Sequence, residues 1–261
     1  MKVTIIGAGV FGVALGKILG DNGHAVTYFD SKNSSPTLVE ATEGAEVLVL
    51  AVPSEAVEEL AESLPEHLRQ LPVILAAKGL LNLDAFVNFG RFSVLGGSAF
   101  AVDVMEGLPV TLTVTDELAR QLFERRPQVT VELTDDALGV TLCGSLKNIY
   151  AIGAGALVEA QSKVPTYLEQ ALAEMKRYLA DHGARPETAD LACGIGDLTM
   201  TATSEKSRNL RFGKALAARA DVGQVRRELG TVEGLETLEQ VDREGYAIIE
   251  RVYELVRAHE V

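Results

Sequence analysis

A glycine-spaced turn between a strand and a helix, within the first twenty residues, constrains the fold of this chain most. Residues 2–6 are rich in β-branched side chains, which indicates a buried strand that ends at Gly7. Glycines follow at positions 9 and 12, and residues 10–20 carry apolar groups at helical spacing. A tight strand–turn–helix of this kind opens a parallel βαβ unit, so the sequence favours an α/β fold.

The glycines form a G-x-G-x-x-G pattern over Gly7, Gly9 and Gly12, with Val10 and Phe11 inside it. The first glycine permits the turn, the second lets the backbone approach a pyrophosphate, and the third allows close helix–strand packing. Free N–H groups at the helix start then attract the anion. We therefore expect a nicotinamide-dinucleotide site; the alternative is a glycine-rich turn that holds no ligand.

Asp30 ends the second predicted strand, 18 residues after Gly12. A carboxylate at this point accepts hydrogen bonds from the adenosine ribose and repels a 2′-phosphate, which favours NAD over NADP. Lys32 nearby would reduce that preference. The alternative is that Asp30 is an ordinary turn residue.

The pattern of elements changes near residue 134. Before it, strands are predicted at 25–30, 45–52, 73–77, 92–95, 109–115 and 129–133, with helices at 55–63 and 116–125. After it, only helices are predicted, at 136–161, 166–182, 186–193, 207–219, 223–229, 235–242 and 246–259. We predict a Rossmann-type, doubly wound dinucleotide-binding domain over residues 1–134 and an all-α substrate domain over residues 135–261.

Composition excludes several classes of protein. The net charge of −13, without a basic block, argues against a nucleic-acid partner. The four histidines are scattered and the two cysteines stand in unrelated contexts, so neither a metal site nor a disulfide is expected. The glycines and Lys17 interrupt the apolar run at the start, and we expect no membrane span and a cytoplasmic protein.

Lys147 is the single basic residue between Pro127 and Ser162, and it lies in an apolar predicted helix. A buried cation is costly unless it is paired or functional. A desolvated amine is also suited to give and take a proton, as carbonyl reduction requires. The alternative is a lysine whose ammonium reaches solvent at a helix edge.

Lys78 directly follows a buried strand. The carboxyl end of a strand is where open α/β sheets bind ligands. The alternative is an ordinary loop lysine.

A second candidate anion site covers residues 194–209. Gly-Ile-Gly-Asp-Leu-Thr is followed by a run with hydroxyl groups, a guanidinium and an amide at the start of a predicted helix, where a phosphate could bind. The alternative is a polar loop that caps the helix.

Taken in order, these segments resemble the NAD(P)-dependent glycerol-3-phosphate dehydrogenase family over nearly the whole chain. The matching segments are Gly-Ala-Gly-Val-Phe-Gly at 7–12, Ala-Val-Pro-Ser at 51–54, Ala-Lys-Gly-Leu at 77–80, 97–101, Leu-Lys-Asn at 146–148, Ala-Ile-Gly-Ala-Gly at 151–155, Gly-x-Gly-Asp-Leu at 194–198, Ser-Arg-Asn at 207–209 and Val-Glu-Gly at 232–234. The resemblance implies a reversible reduction of dihydroxyacetone phosphate to sn-glycerol 3-phosphate with NAD or NADP, and we expect a homodimer.

The resemblance also implies roles for individual residues. Lys147 would be the proton donor and acceptor, Lys78 would lie beside substrate and cofactor, and Asp197 would orient Lys147 or the substrate hydroxyls. Substrate contacts would come from Gly97, Asn148, Ser207, Arg208 and Asn209. Cofactor contacts would come from Gly7, Gly9, Val10, Phe11, Gly12, Asp30, Lys78, Ala101, Arg208 and Glu233.

The chain departs from the family pattern in its first half and at Ala202. The segment between Asp30 and Ala45 is short, Ala99 stands where a hydroxyl residue is usual, Ala202 replaces a usual cysteine, and Ser31 replaces a residue that often contacts adenosine. Two alternatives therefore stay open: a related dehydrogenase of another small hydroxy acid or phosphate, and a nucleotide-binding protein without activity.

Overall fold

The computed structural model describes residues 1–33, 36–77, 79–157 and 160–259. It divides the chain into two compact units, Met1–Val140 and Thr141–Val261. The domain boundary after residue 134 stays a prediction. Among the described helices, none combines the length and the apolar character that a membrane crossing requires.

The first unit is built on one seven-stranded sheet. Its strands are β1 (Lys2–Ile6), β2 (Ala25–Phe29), β3 (Val47–Leu50), β4 (Pro72–Leu75), β5 (Arg91–Ser98), β6 (Val110–Val114) and β7 (Val129–Leu133). They lie in the order β2-β1-β3-β4-β5-β6-β7, and every neighbouring pair is parallel except β5 and β6. The predicted doubly wound, mostly parallel sheet is confirmed.

The helices of the first unit include three that were not predicted. They are α1 (Val10–Asp21), α2 (Leu38–Thr42), α3 (Val57–Ser63), α4 (Glu66–Arg69), α5 (Ala101–Met105) and α6 (Glu117–Phe123). The unpredicted helices, α2, α4 and α5, each have five residues or fewer, which is too short to show helical periodicity in a sequence. The N-terminus of α2 is stabilised by a capping box between Thr37 and Glu40.

The strand order places a switch point beside β1. The chain proceeds from β1 to β2 on one side, and β3 pairs with β1 on the other side. Val3, Ile5, Val47 and Val49 are fully buried in these strands, as expected of parallel strands covered on both faces. Connections that leave a sheet in opposite directions open a crevice at the carboxyl ends of the strands, where ligands bind.

The second unit is helical in its described residues. α7 (Ala137–Leu157) leads into it, and α8 (Val164–Asp181), α9 (Asp197–Thr203), α10 (Arg208–Ala217), α11 (Val222–Leu229), α12 (Glu233–Gln240) and α13 (Ala247–Ala258) follow. The prediction of a single helix at 186–193 is wrong. A 3₁₀ helix, Pro186–Asp190, is followed by a π-helical turn, Ala192–Gly196, and both differ from the α-helical period that the prediction assumed.

Two glycines bring α10 and α12 close to the backbone of α7. A Cβ added at Gly213 would overlap the carbonyl oxygen of Ile152, and one added at Gly234 would lie 2.8 Å from the carbonyl oxygen of Asn148. Side chains near the starts of α10 and α12 therefore lie beside the middle of α7, where Asn148 and its neighbour Lys147 are found.

Candidate active site

The glycine loop in the first unit is shaped by close backbone contacts. Gly7 has a φ of +105°, which favours glycine, and a Cβ added there would lie 2.6 Å from the carbonyl oxygen of Ala51. A Cβ at Gly12 would overlap the carbonyl oxygen of Gly7. These two positions therefore require glycine to form the turn from β1 into α1.

Gly9 is different, because it faces open space. A Cβ added at Gly9 would meet no atom of the described chain within 4 Å. Gly9 is the N-cap of α1, and in the described structure no side chain caps this helix and no acid stands in its first turn. The start of α1 therefore offers an open approach with the partial positive charge that a pyrophosphate needs. Val10 is 76% exposed there, and Phe11 is partly buried.

Asp30 lies against the same loop. Its Oδ2 accepts a hydrogen bond from the backbone N–H of Ala8 at 3.2 Å, and its Oδ1 accepts one from the N–H of Lys32 at 2.9 Å. The carboxylate is thereby held beside the glycine loop at the end of β2. This glycine loop and acid fit a nicotinamide dinucleotide: the start of α1 would hold the pyrophosphate, and Asp30 would accept from the adenosine ribose.

Two other predicted site residues of the first unit, Gly97 and Ala101, lie near the end of a strand and at the start of a helix. Gly97 belongs to β5, has a φ of +127°, and would place a Cβ 2.5 Å from the carbonyl oxygen of Thr111. Ala101 begins α5. Ala99, where a hydroxyl was expected, is buried. Lys78 lies outside the described residues.

In the second unit, Lys147 of α7 forms a buried ion pair with Asp197 at the start of α9. Each side chain is only 3% exposed. Two charges this deeply buried are tolerated because they neutralise each other, and removal of either would leave an uncompensated charge. The alternative in which Lys147 reaches solvent at a helix edge is therefore wrong.

Thr201 holds the other oxygen of Asp197. Its hydroxyl donates to Asp197 Oδ1 at 3.1 Å, and the threonine is buried one helical turn after the aspartate in α9. Sequence reasoning missed Thr201. No helix was predicted over residues 197–203, so the spacing of four residues that places Thr201 on the same helix face as Asp197 gave no signal.

A chain of hydrogen bonds joins α7 to the starts of α10 and α12. Asn148 Nδ2 donates to Glu233 Oε2 at 3.1 Å, and Asn209 Nδ2 donates to Asn148 Oδ1 at 2.9 Å. The backbone N–H of Gly234 then donates to Asn209 Oδ1 at 3.0 Å. Three residues predicted from separate segments are thus brought together.

Ser207 and Arg208 occupy the start of α10. The hydroxyl oxygen of Ser207 accepts from the backbone N–H of Leu210 at 3.2 Å, so Ser207 is the N-cap of the helix. The side chain of Arg208 is 45% exposed, and its guanidinium lies 3.8 Å from Glu233 Oε1. An exposed guanidinium at a helix N-terminus can bind an anion through bidentate hydrogen bonds.

Comparison with known proteins identifies the protein family in which this arrangement is found. Models of the N-terminus and the C-terminus of NAD-dependent glycerol-3-phosphate dehydrogenase match residues 2–35 and 136–261. A glycerol-3-phosphate dehydrogenase [NAD(P)+] from Anaeromyxobacter sp. is 30% identical, over 89% of this chain and 84% of that protein. The enzyme of the same name from Roseobacter denitrificans is 33% identical, over 91% of this chain and 86% of that protein.

The chain belongs to the NAD(P)-dependent glycerol-3-phosphate dehydrogenase family. The crystal structure of the glycerol-3-phosphate dehydrogenase from Coxiella burnetii has the same fold, with a TM-score of 0.83 and 24% identity over 99% of this chain and 94% of that chain. The resemblance drawn from the sequence motifs is therefore confirmed, as are the Rossmann-type unit and the helical unit of this family.

Proposed function

We propose that this chain catalyses the reversible, NAD(P)-dependent reduction of dihydroxyacetone phosphate to sn-glycerol 3-phosphate. The observation that carries the proposal is the buried Lys147–Asp197 ion pair, in a helical unit that the family model matches throughout. Carbonyl reduction needs a proton donor that is fixed in place and shielded from water, and a paired, buried ammonium meets both needs.

Lys147 is the proposed proton donor and acceptor. The reduced nicotinamide, when bound, supplies the hydride to the carbonyl carbon of the substrate. The carbonyl oxygen then gains negative charge, and the Lys147 ammonium stabilises this oxygen and donates a proton to it. In the reverse direction the lysine amine takes the proton from the hydroxyl.

Asp197 acts on the substrate through Lys147. Its carboxylate fixes the ammonium on one side, while the Thr201 hydroxyl fixes the carboxylate. This support keeps the Lys147 Nζ in one position during proton transfer, and a catalytic group held in place contributes more than a mobile one. The alternative role proposed for Asp197 is that its carboxylate orients the substrate hydroxyls.

The phosphate of the substrate is assigned to the start of α10. Arg208 offers two parallel N–H donors, Asn209 offers an amide, and the hydroxyl of Ser207 lies at the helix N-terminus. Asn148, Gly97 and Lys78 complete the proposed substrate contacts. An anion can bind despite the net charge of −13, because these donors supply local positive potential.

The cofactor is assigned to the glycine loop and its surroundings. The pyrophosphate would bind at the start of α1, and Asp30 would accept from the adenosine ribose. NADH is preferred over NADPH, because a 2′-phosphate would lie beside the Asp30 carboxylate. The remaining proposed contacts are Gly7, Gly9, Val10, Phe11, Gly12, Lys78, Ala101, Arg208 and Glu233.

The function is tested by following NADH oxidation with dihydroxyacetone phosphate as substrate. We expect turnover with this compound and at least a hundredfold lower kcat/KM with unphosphorylated dihydroxyacetone, because the phosphate contacts are charge-assisted (about 3 kcal/mol). Turnover with another small oxo acid or phosphate, but not with dihydroxyacetone phosphate, would make the chain a related dehydrogenase. NADH binding without turnover on any of them would indicate a nucleotide-binding protein.

Cofactor preference has its own test. We expect kcat/KM with NADH to exceed that with NADPH, and Asp30→Ala to reduce the difference by about tenfold, which corresponds to roughly 1.4 kcal/mol. Lys32→Ala is the matched control in the same loop and should leave or increase the preference for NADH. An unchanged ratio in Asp30→Ala would remove Asp30 from the cofactor site.

The enzyme is further proposed to be cytoplasmic and to form a homodimer. Cys143 and Cys193 are both buried thiols, as is usual in a reducing compartment. Two-fold dimers are the commonest assemblies of identical chains. Light scattering on the purified protein tests the dimer, and cell fractionation tests the location.

A further inference from the structure

We use the name amide relay for three consecutive hydrogen bonds. They join Glu233 to Asn148, Asn148 to Asn209, and Asn209 to the backbone N–H of Gly234. The carboxylate at one end can only accept a hydrogen bond, and the backbone N–H at the other end can only donate one. Both ends therefore require the same arrangement: Asn148 points Nδ2 at Glu233, and Asn209 points Oδ1 at Gly234.

The relay leaves little freedom to either amide. If Asn148 were turned over, its Oδ1 would face the Glu233 carboxylate and its Nδ2 would face the Nδ2 of Asn209, so two hydrogen bonds would become repulsive contacts. Asn148 is 2% exposed and Asn209 is 7% exposed, so water cannot readily replace the lost partners. Unsatisfied polar groups at this depth are costly.

Glu233 also faces a second donor. Its Oε2 accepts from Asn148, while its Oε1 lies 3.8 Å from the guanidinium of Arg208. A glutamine at this position would have to turn its NH₂ group towards one of the two donors. Only a carboxylate can face both, so the negative charge of Glu233 links the amide relay to Arg208.

We propose that Glu233 is a positioning residue that sets the orientation of Asn148 and Asn209 and the place of Arg208. The proposal rests on the proposed function, in which these three side chains bind the substrate. Asn209 follows Arg208 at the start of α10, and the relay uses one N–H and the oxygen of its amide to hold this group against Asn148 and Gly234. In the proposed function the other N–H of Asn209 Nδ2 donates to the substrate phosphate.

A reversal of one hydrogen bond tests the relay. In Asn148→Asp, the new carboxylate at position 148 would face the carboxylate of Glu233. In the double variant, Asn148→Asp with Glu233→Gln, the amide at position 233 would donate to the carboxylate at position 148. That carboxylate would still accept from Asn209, and Asn209 would still accept from Gly234. The double variant therefore restores every link of the relay and loses only the 3.5 Å hydrogen bond from Asn148 Nδ2 to the carbonyl oxygen of Gly144. Asn148→Asp alone breaks the link to Glu233, and in Glu233→Gln alone the amide accepts from Asn148 only if its NH₂ group turns towards Arg208.

The wild type, both single variants and the double variant are compared by thermal unfolding and by KM for dihydroxyacetone phosphate. We expect Asn148→Asp to lower Tm by about 4 °C or more, which corresponds to at least about 1 kcal/mol. The double variant should recover at least half of that loss. KM should rise about tenfold in each single variant and fall again in the double variant.

The matched control is Glu239→Gln, which lies in the same helix as Glu233 and is paired with exposed Arg257. This variant should change neither Tm nor KM.

Additive losses in Tm and in KM would overturn the proposal, because they would show that positions 148 and 233 act independently. A large rise in the Kd for NADH in Glu233→Gln, with KM for the substrate unchanged, would also overturn it and make Glu233 a cofactor contact only. If the wild type does not reduce dihydroxyacetone phosphate, the proposed function fails, and the recovery of Tm still decides whether the relay exists.

Discussion

The two units of this chain build their candidate sites in opposite ways. In the first unit the site is made by backbone: Gly7 and Gly12 allow close contacts, Gly9 leaves an open approach, and Asp30 accepts from a backbone N–H. In the second unit the site is made by side chains that hold one another, such as the buried pair of Lys147 and Asp197.

The difference predicts how each unit responds to substitution. A backbone site tolerates changes of neighbouring side chains and fails when a Cβ is added at a glycine in close contact with backbone, as at Gly7 and Gly12. A buried polar network fails when any one partner is removed, because the remaining groups lose their compensation.

The largest expected effect is on the buried ion pair. Asp197→Ala leaves the Lys147 ammonium buried without its partner, so we expect a loss of about 3–5 kcal/mol in the free energy of unfolding and the loss of turnover. Chemical denaturation and the NADH assay measure the two. Asp190→Ala, which removes an exposed ion pair with Lys176, is the control and should cost less than about 1 kcal/mol. An equal loss in both variants would contradict the network account of this unit.

The second effect tests the backbone site. Gly12→Ala places a Cβ against the carbonyl oxygen of Gly7, so we expect the Kd for NADH to rise about a hundredfold, or roughly 2.7 kcal/mol. Gly20→Ala in the same helix is the matched control, since a Cβ there would meet no described atom within 4 Å. Normal NADH binding by Gly12→Ala would show that the loop does not depend on this close contact.

A smaller effect is expected at Thr201. Thr201→Val keeps the shape but removes the hydrogen bond to Asp197, so we expect kcat to fall about tenfold, which is roughly 1.4 kcal/mol. Thr201→Ser keeps a hydroxyl and should retain most of the activity. If the valine and serine variants have the same kcat, Thr201 only fills space.

The smallest effect lies away from the candidate site, at Tyr246. Burial, followed by the hydrogen bond to Asp181, raises the pKa of Tyr246 to about 12 from the usual 10.0. A raised folded-state pKa gives stability that is complete below pH 10 and is lost as the pH rises towards 12. We expect Tyr246→Phe to cost about 1 kcal/mol at pH 8 and the gap to wild type to narrow at pH 11, as measured by denaturation. A gap independent of pH would mean that the hydroxyl contributes nothing through ionisation.

The sequence predicted those parts of the molecule that local patterns encode. Runs such as Val-Thr-Ile-Ile at 3–6 and the apolar segment around 47–50 indicate strands, and the glycine spacing indicates the turn that joins β1 to α1. The five-residue helix α5 carries too few residues for a periodic signal, and the π-helical turn before Asp197 departs from the period on which the prediction depends.

Contacts between distant segments could not be predicted from local pattern. Glu233 and Asn148 are 85 residues apart, and their hydrogen bond depends on the close approach of α12 to α7 at Gly234. Lys147 was recognisable because it is a lone cation in an apolar helix, whereas Thr201 is one threonine among several and gives no comparable signal. A residue type that is unusual for its neighbours can be recognised in a sequence, whereas a tertiary contact made by a common residue type cannot.

We propose that Lys147 donates the proton during reduction of dihydroxyacetone phosphate, while the glycine loop of the first unit binds the dinucleotide. The most direct measurement compares Lys147→Ala with wild type for kcat with dihydroxyacetone phosphate and for the Kd of NADH. We expect kcat to fall by about a thousandfold or more and the Kd for NADH to stay within about twofold of the wild-type value. Full turnover in Lys147→Ala would contradict this proposal.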